Sequence, residues 1–307
     1  MPRSRSSPEL SVVIPLYNEE KGIAALFKTL NDFAKKLPPR TEIIFVDDGS
    51  DDQTFHELEK KPLKLSKKII RLSRNFGHQS ALIAGLEASL GKYVVTMDGD
   101  LQHPLELIPQ MLTAHKKGID IVLTRRIDQH NNSGFKKMTA KFFYSTINLL
   151  SETSITENAS DFRSMNRTSL QVLLSMSERR KFLRGMVQWI GFSSVTLPFT
   201  LQSRAAGKSK YNLWKMMTLS LHGITSFSAW PLYWSGVFSF VLFGLAALYA
   251  LYVLYVRWAG QAVSGWASVL LAVLVIGGFT SLFLGLIGVY LAAIYDEVKR
   301  RPLYVKK

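Results

Sequence analysis

Two long stretches of this chain carry no formal charge, and they constrain its architecture more than any other feature. No Asp, Glu, Lys or Arg occurs over 216–256, nor over 258–295. A membrane-spanning helix needs only about 20 apolar residues, so each stretch can cross a bilayer with residues to spare. The spans are expected at 230–256 and 266–294. Trp230, Tyr233 and Trp234, then Trp258 and Trp266, stand where interfacial aromatic belts form. The loop between the spans carries only Arg257, whereas the tail carries Lys299, Arg300, Arg301, Lys306 and Lys307 and is therefore expected on the cytoplasmic side. Two crossings return the chain to its starting side. The opening Met-Pro-Arg-Ser-Arg leads into no apolar signal-peptide core, so the N-terminal region is expected in the cytoplasm too. Gly277, Ser281 and Gly285 recur every fourth residue, a spacing that allows close helix packing within the hairpin or between copies of the chain in a homo-oligomer.

The 307 residues include no cysteine, which excludes a disulfide framework and thiolate chemistry. The net charge of +15 suits anionic lipid, phosphorylated ligands or nucleic acid. The basic residues are scattered and form no arginine-rich tract or nucleic-acid module, so nucleic acid is not an expected partner and a lipid membrane is.

Ahead of the spans, short apolar runs alternate with helical periodicity. Strands are expected at 10–16, 42–46, 68–72, 93–97 and 119–124, and helices at 18–35 and 80–90. Within 18–35, Ile23, Leu26, Phe27, Leu30 and Phe33 recur at helical spacing. Such alternation implies an α/β fold whose mostly parallel sheet is covered on both faces, with ligands at the carboxyl ends of the strands. Two amphipathic helices are expected, over 136–150 and 212–228, and the position of the second just before a span favours the membrane interface. The organisation reads as an α/β domain over 1–210, a juxtamembrane helix over 211–229, the two-helix transmembrane hairpin and a basic tail over 295–307.

Acidic turns follow three of the strands. Asp98-Gly99-Asp100 can direct two carboxylates onto one hard cation, Mg²⁺ or Mn²⁺, leaving positions open for phosphate oxygens. Gln102 can add another oxygen, while His103 suits a hard cation poorly and reads as structural. The turn Asp47-Asp48-Gly49-Ser50-Asp51-Asp52 is ordinary turn chemistry, or offers a carboxylate to the ring N–H of a uracil or guanine. After 10–16, Tyr17 can stack on a base and Glu19 can bind base or ribose.

Residues 10–126, with SVVIPLYNEE, VDDGSDD and DGDLQHP in that order, resemble the nucleotide-binding half of the GT-A (Rossmann-like) glycosyltransferases of family 2. The stretch 73–78 (SRNFGH) resembles the loop after that family's third strand. Beyond it, 160–163 (SDFR), 182–185 (FLRG) and 204–211 (RAAGKSKY) resemble polyprenyl-phosphate glycosyltransferases, the group that contains dolichol-phosphate mannose synthase. The two spans and the ending 294–304 resemble the bactoprenol glucosyltransferase branch. The resemblance implies that Pro15, Tyr17, Glu19, Asp48 and Asp98 hold the nucleotide and that Asp98, Asp100 and Gln102 hold the metal. Asn166 departs from the pattern, since relatives commonly carry an acid there, and is given no role.

The resemblance further implies transfer of a hexose from a nucleotide-sugar to a polyprenyl (undecaprenyl) phosphate at the bacterial inner membrane. UDP-glucose is the favoured donor, with mannose, galactose and amino sugars as alternatives. Arg125, Arg126, Arg184, Arg204 and Lys210 are the candidates for binding donor or acceptor phosphates; Arg125, placed just after a strand, is expected near the metal. A phosphate monoester, with a second pKa of about 6, is largely dianionic at neutral pH and can attack without a base. Asp161 is then expected to orient an arginine, the sugar or the phosphate, with Arg125 and Arg184 beside it in catalysis, and direct displacement predicts inversion. A processive polysaccharide synthase would show Gln-x-x-Arg-Trp and more spans, whereas here Gln188 is followed at once by Trp189. A non-catalytic nucleotide-sugar or lipid receptor would not need the acids and arginines together.

Overall fold

The computed structural model describes residues 7–127, 160–178, 181–200, 230–260 and 265–307. The amphipathic helices expected at 136–150 and 212–228, with Arg204 and Lys210, lie outside the described residues. The Val- and Ile-rich runs form strands β1 (Leu10–Leu16), β2 (Thr41–Asp47) and β4 (Tyr93–Thr96), buried along their whole length. Burial on both faces is what a parallel strand covered by helices on two sides requires. The more polar β3 (Ser66–Arg71) forms one edge. Strand β5 spans Ile121–Arg126, β6 Arg163–Asn166 and β7 Ser194–Phe199, giving the seven-stranded order β3-β2-β1-β4-β6-β5-β7. All neighbours are parallel except β6, which runs antiparallel to both β4 and β5.

Helices α1 (Glu20–Phe33), α2 (Thr54–Lys60), α3 (His78–Ala88) and α4 (Leu107–Lys116) connect the parallel strands, and α5 (Arg167–Ser175) and α6 (Leu183–Trp189) follow β6. The stripe Ile23, Leu26, Phe27, Leu30 and Phe33 is the buried face of α1, and Phe27 stacks on Phe45 of β2 at 5.1 Å. Because β2 and β4 leave β1 on opposite sides, the chain changes winding direction between β1 and β4. The carboxyl edge at such a switch point is the general place for ligands in sheets of this kind.

Two strands, β6 and β7, were not foreseen from the pattern, and four of the expected strands shift their bounds by one or two residues, most of all two of them. The strand expected at 68–72 runs Ser66–Arg71, and the one expected at 119–124 runs Ile121–Arg126. Ile119 instead closes the turn after α4, its N–H donating to Ala114 O at 3.2 Å behind Gly118, whose φ is +89°.

Contacts divide the chain into two units. The first holds the sheet and its helices and includes Arg301–Lys307, which the sequence had suggested were part of a separate tail. The second holds α7 (Trp230–Trp258) and α8 (Trp266–Val298). Within them, Ser235–Val256 and Val275–Val298 have mean hydropathies of 2.3 and 2.0 and are long and apolar enough to cross a membrane. Their 22 and 24 residues correspond to about 33 and 36 Å of helix, against about 30 Å of hydrocarbon. Phe238 of α7 packs on Phe279 (4.9 Å) and Phe283 (5.8 Å) of α8. A Cβ on Gly277 or Gly285 would meet nothing within 4 Å, so among the described residues the small-residue spacing does not seat α7.

Candidate active site at the carboxyl edge of the sheet

The turns after β1 and β2 are sewn together by reciprocal hydrogen bonds. Asn18 N–H donates to Ser50 Oγ (3.0 Å), Asp51 N–H to Asn18 Oδ1 (3.0 Å), Glu19 N–H to Thr54 Oγ1 (2.8 Å) and Glu20 N–H to Asp52 Oδ2 (3.2 Å). Asn18 holds a φ of +53°, a conformation Asn tolerates better than most residues. Gly49, at φ +66°, lies so near the Arg74 backbone that a Cβ would come within 2.3 Å of it. Only glycine fits that crossing. Asp48 then fixes the neighbouring loop, its two carboxylate oxygens accepting the N–H groups of Phe76 (2.8 Å) and Gly77 (2.9 Å). Burial raises the Asp48 pKa, against the lowering by those two hydrogen bonds. A nucleotide contact at Asp48 would therefore have to use lone pairs left over from this structural work.

Around that crossing a cleft of about 450 Å³ is lined by Tyr17, Gly49, Ser50, Asp51, Arg71, Leu72, Ser73, Arg74, Asn75 and Lys307. Tyr17 is 42 % exposed and faces it; of the acids in the turn, Asp51 rather than Asp48 lines it. The Arg74 guanidinium lies 4.1 Å from the Phe76 ring and donates to Asn75 O at 3.0 Å. Pro15 is buried in β1 opposite Val46, past Val13, where the pairing of β1 with β4 ends. The missing N–H of a proline costs no ladder bond at such a position.

On the other side of β1, β4 leads into Asp98-Gly99-Asp100. A Cβ on Gly99 would meet Leu16 Cδ2 at 2.2 Å, so the close approach that glycine permits is made by the core of β1. Leu101 holds a φ of +58°, and Gln102 N–H donates to Asp100 Oδ1 at 3.1 Å, which tightens the turn. Ligand atoms of Asp98, Asp100 and His103 lie within 4.8 Å of one another. His103 is nonetheless committed elsewhere. Its Nδ1 accepts the Asp98 N–H (3.2 Å), so the proton is on Nε2, which donates to Ser160 Oγ (3.0 Å), and the ring stacks on Phe162 at 4.9 Å. The two carboxylates remain as hard oxygen donors, a set that fits a Mg²⁺- or Mn²⁺-type ion. Burial raises the Asp98 pKa, Asp161 and Asp100 push the same way, and His103 and His78 oppose.

The antiparallel insertion of β6 explains how Asp161 reaches this site. Thr96 of β4 is in register with Arg163, so the beginning of β6 lies beside the end of β4. Thr96 Oγ1 donates to Asp161 O at 2.5 Å, and Thr124 Oγ1 to Phe162 O at 2.5 Å, pinning the entry to the strand from both neighbours. Asp161 and Arg163, two apart along extended chain, share a face, while Phe162 turns into the core, fully buried. Arg163 is 3 % exposed; its Nη2 donates to Asp161 Oδ1 and its Nη1 to Leu183 O at 3.0 Å. Arg184 of α6 grips the same carboxylate with two donors, Nη2 to Oδ2 (2.8 Å) and Nε to Oδ1 (3.2 Å). His78, at the start of α3, places Nε2 3.5 Å from Asp98 Oδ1 and 3.7 Å from Asp161 Oδ2. Burial alone would raise the Asp161 pKa, but His78, Arg163 and Arg184 outweigh it and hold the carboxyl well below the usual range. For His78 the order reverses: burial lowers its pKa, and Asp161 and Asp98 together raise it.

The expected residues thus fall into groups. Asp98 and Asp100 share one cluster, Asp161 and Arg184 are directly bonded, and Tyr17 lines the cleft. Gln102 contributes its backbone to the Asp100 turn. Glu19 is exposed at the start of α1. Arg125 and Arg126 are the last, exposed residues of β5, opposite Pro198 and Phe199 of β7. One boundary is corrected: Arg125 is a residue of β5 and not the first residue after it. Among the described residues no contact joins Arg125 to the acids. His78, Arg163, Arg74 and Lys307 were not given roles from the sequence. The first three stand within quoted motifs, while nothing local signals Lys307.

The family model described as glycosyl transferase family 2 matches residues 11–174. A Synechocystis protein described as an uncharacterized glycosyltransferase is 38% identical over 299 residues, covering 97% of this chain and 94% of its own. The SfII prophage-derived bactoprenol glucosyl transferase of Shigella flexneri is 36% identical over 303 residues, 97% of each chain. Among solved structures, a Pyrobaculum calidifontis mannosyltransferase in complex with GDP-Man and Mn²⁺ overlays with a TM-score of 0.47 and 18% identity, over 96% of this chain and 87% of its own. So loose an overlay carries no weight for the site.

Proposed function

The chain belongs to glycosyl transferase family 2, and from that premise we propose that it moves a hexose from a nucleotide-sugar onto a polyprenyl phosphate at a membrane surface. The observation that carries the acceptor assignment is the arginine-locked Asp161. A carboxylate bonded by Arg163 and Arg184 and held well below its usual pKa is a poor proton acceptor. An alcohol acceptor needs a base at that point, whereas a phosphate monoester, mostly dianionic at neutral pH, does not. The relatives named as bactoprenol glucosyl transferases, similar over almost their full length, support the same acceptor and favour glucose. The two apolar helices would keep the enzyme in the membrane where such an acceptor resides.

In the proposed reaction a phosphate oxygen of the acceptor attacks the anomeric carbon from the face opposite the leaving group. The bond to the nucleotide diphosphate breaks, its electron pair leaves with the diphosphate, and the configuration inverts. Asp98 and Asp100 would hold a Mg²⁺ or Mn²⁺ ion, with Gln102 as a further candidate; when bound, the ion supplies Lewis-acid neutralisation of the departing charge. Asp161 fixes the Arg184 guanidinium at the carboxyl edge, where its partly exposed side chain can meet phosphate. Arg163 is too buried for that and instead balances Asp161. Tyr17, Asp51 and the Arg74 loop form the donor's cleft.

The deciding experiment is incubation of the purified protein with Mg²⁺, undecaprenyl phosphate and UDP-glucose, GDP-mannose, UDP-galactose or UDP-N-acetylglucosamine. A hexosyl-phospholipid of the right mass, with anomeric configuration opposite to the donor's, is expected. Retention would overturn the single-displacement mechanism, and no glycolipid with any donor would overturn the assignment.

A further inference from the structure

The last residues of the chain do not trail away from the sheet. Ser73 N–H donates to Val305 O (2.8 Å), Lys307 N–H donates to Arg71 O (2.9 Å), and Leu72 bridges Lys306 in antiparallel fashion. The Tyr304 hydroxyl donates to the Glu87 carboxylate of α3, and burial with that partner raises its pKa. The segment therefore forms an isolated antiparallel bridge at the end of β3. Simple protection of an open edge would explain such pairing anywhere along Ser66–Arg71. Here it begins only at Arg71 and continues past the end of β3, beside the cleft that Lys307 lines together with Tyr17, Asp51 and Arg74. An aromatic ring, polar groups and the three cations Arg71, Arg74 and Lys307 around about 450 Å³ suit a nucleoside carrying phosphate.

We propose that the segment Tyr304–Lys307 is a wall of the donor site and that Lys307 is a cation for the phosphates of a nucleoside diphosphate. The proposal rests on the donor reading above and adds a residue to it. Arg71 lies 3.4 Å from Asp47 and over the Phe55 ring, and Arg74 is held by the Phe76 ring and Asn75 O, so two cations of the cleft are set by the end of β3 and its loop and the third by the returning tail. Nucleotide in the cleft and tail on the sheet would then each favour the other, since anything that binds only the docked form stabilises it.

The test measures UDP, and then GDP, binding to the full-length protein in detergent by calorimetry, alongside the KM for the donor. Lys307→Glu is expected to weaken nucleotide binding and raise the donor KM roughly five- to tenfold, with Lys307→Arg restoring both to within about twofold. Tyr304→Ala, which loosens the tail, is expected to weaken nucleotide binding in the same direction. Lys36→Glu makes the same charge change at an exposed site away from the cleft and is expected to change neither. If the Lys307→Glu protein binds UDP and GDP as tightly as the parent, the proposal is wrong. If the parent binds nucleotide but makes no glycolipid, the acceptor reading fails while the tail proposal stands or falls on Lys307→Glu. A parent that makes glycolipid, with Lys307→Glu leaving the donor KM unchanged, sinks the tail proposal alone.

Discussion

At the scale of single residues, the site is organised by charge balance among buried groups. Asp161 is 6 % exposed, and Arg163, itself 3 % exposed, depends on it for neutralisation. Replacing Asp161 by Asn leaves the Arg163 guanidinium buried beside a neutral amide, which should cost about 3–5 kcal/mol of stability and lower turnover at least about a hundredfold. Urea denaturation and product formation by mass would be measured together. A variant that kept parental stability would mean that Arg163 is neutralised by some other group. Gly49 makes a second, purely steric case. Gly49→Ala must place a Cβ 2.3 Å from the Arg74 backbone at a φ of +66°, and roughly 2 kcal/mol or more of destabilisation is expected. Because the strain falls on the loop that lines the cleft, the donor KM should rise as well. A neutral result by denaturation would show that the two loops can part.

Legibility and strain both change character at the scale of elements. β1, β2 and β4 were readable because buried parallel strands have continuous apolar runs, and the acids after them were readable because each group is contiguous in sequence directly behind such a run. β6 was not, since Arg163, Ser164 and Asn166 make three of its four residues polar. They are tolerated in the sheet because each has a partner: Asp161 for Arg163, His115 for Ser164 and Asp120 for Asn166. Partnerships of that kind are long-range and leave no periodicity. The site shows the same limit: SDFR and FLRG stood out as motifs, yet the bond between Asp161 and Arg184 required α6 to fold back over β6. His115 on α4 illustrates how such a partner can be tested. Its Nδ1–H donates to Ile119 O (2.7 Å), its Nε2 accepts from Ser164 Oγ (2.8 Å), and the ring stacks on Tyr93 (4.7 Å). The acceptor at Nε2 exists only in the neutral ring, and burial lowers the pKa from 6.5, with the Ile119 bond and Asp120 opposing. A base whose folded pKa is depressed stabilises the fold above its unfolded pKa and loses that contribution as pH falls through it. The urea midpoint should therefore drop between pH 7.5 and 5.5. His115→Phe should be less stable at pH 7.5 but show a shallower drop, and an unchanged slope would assign the pH dependence to other groups.

For the whole molecule, the pairing of Val305 and Lys307 with the β3 edge bears on topology. Strands cannot pair across a bilayer, so the sheet and the residues after α8 share one compartment, and with α7 and α8 the candidate spans among the described residues, they cross a membrane both or neither. The sequence reached the same even number from hydropathy and the basic tail, two signals independent of the sheet. The basic tail also bears on the side of the shared compartment, since its excess of Lys and Arg argues for the cytoplasm. The absence of cysteine makes this directly testable, because each introduced thiol reports alone. Ala259→Cys places one at the exposed end of α7, in the turn before α8, and Lys36→Cys places one on the sheet unit. A membrane-impermeant maleimide added to intact bacterial cells should label Ala259→Cys and spare Lys36→Cys, and lysis should render both reactive. A thiol at 305, in Val305→Cys, should behave like the one at 36, since its backbone is joined to Ser73. Labelling of Lys36→Cys in intact cells would place the sheet outside the cytoplasm, away from cytoplasmic nucleotide-sugars. Labelling of Val305→Cys alone with position 36 protected would mean that the tail does not pair with the sheet in the membrane-bound protein, and would remove the basis for assigning Lys307 to the donor cleft.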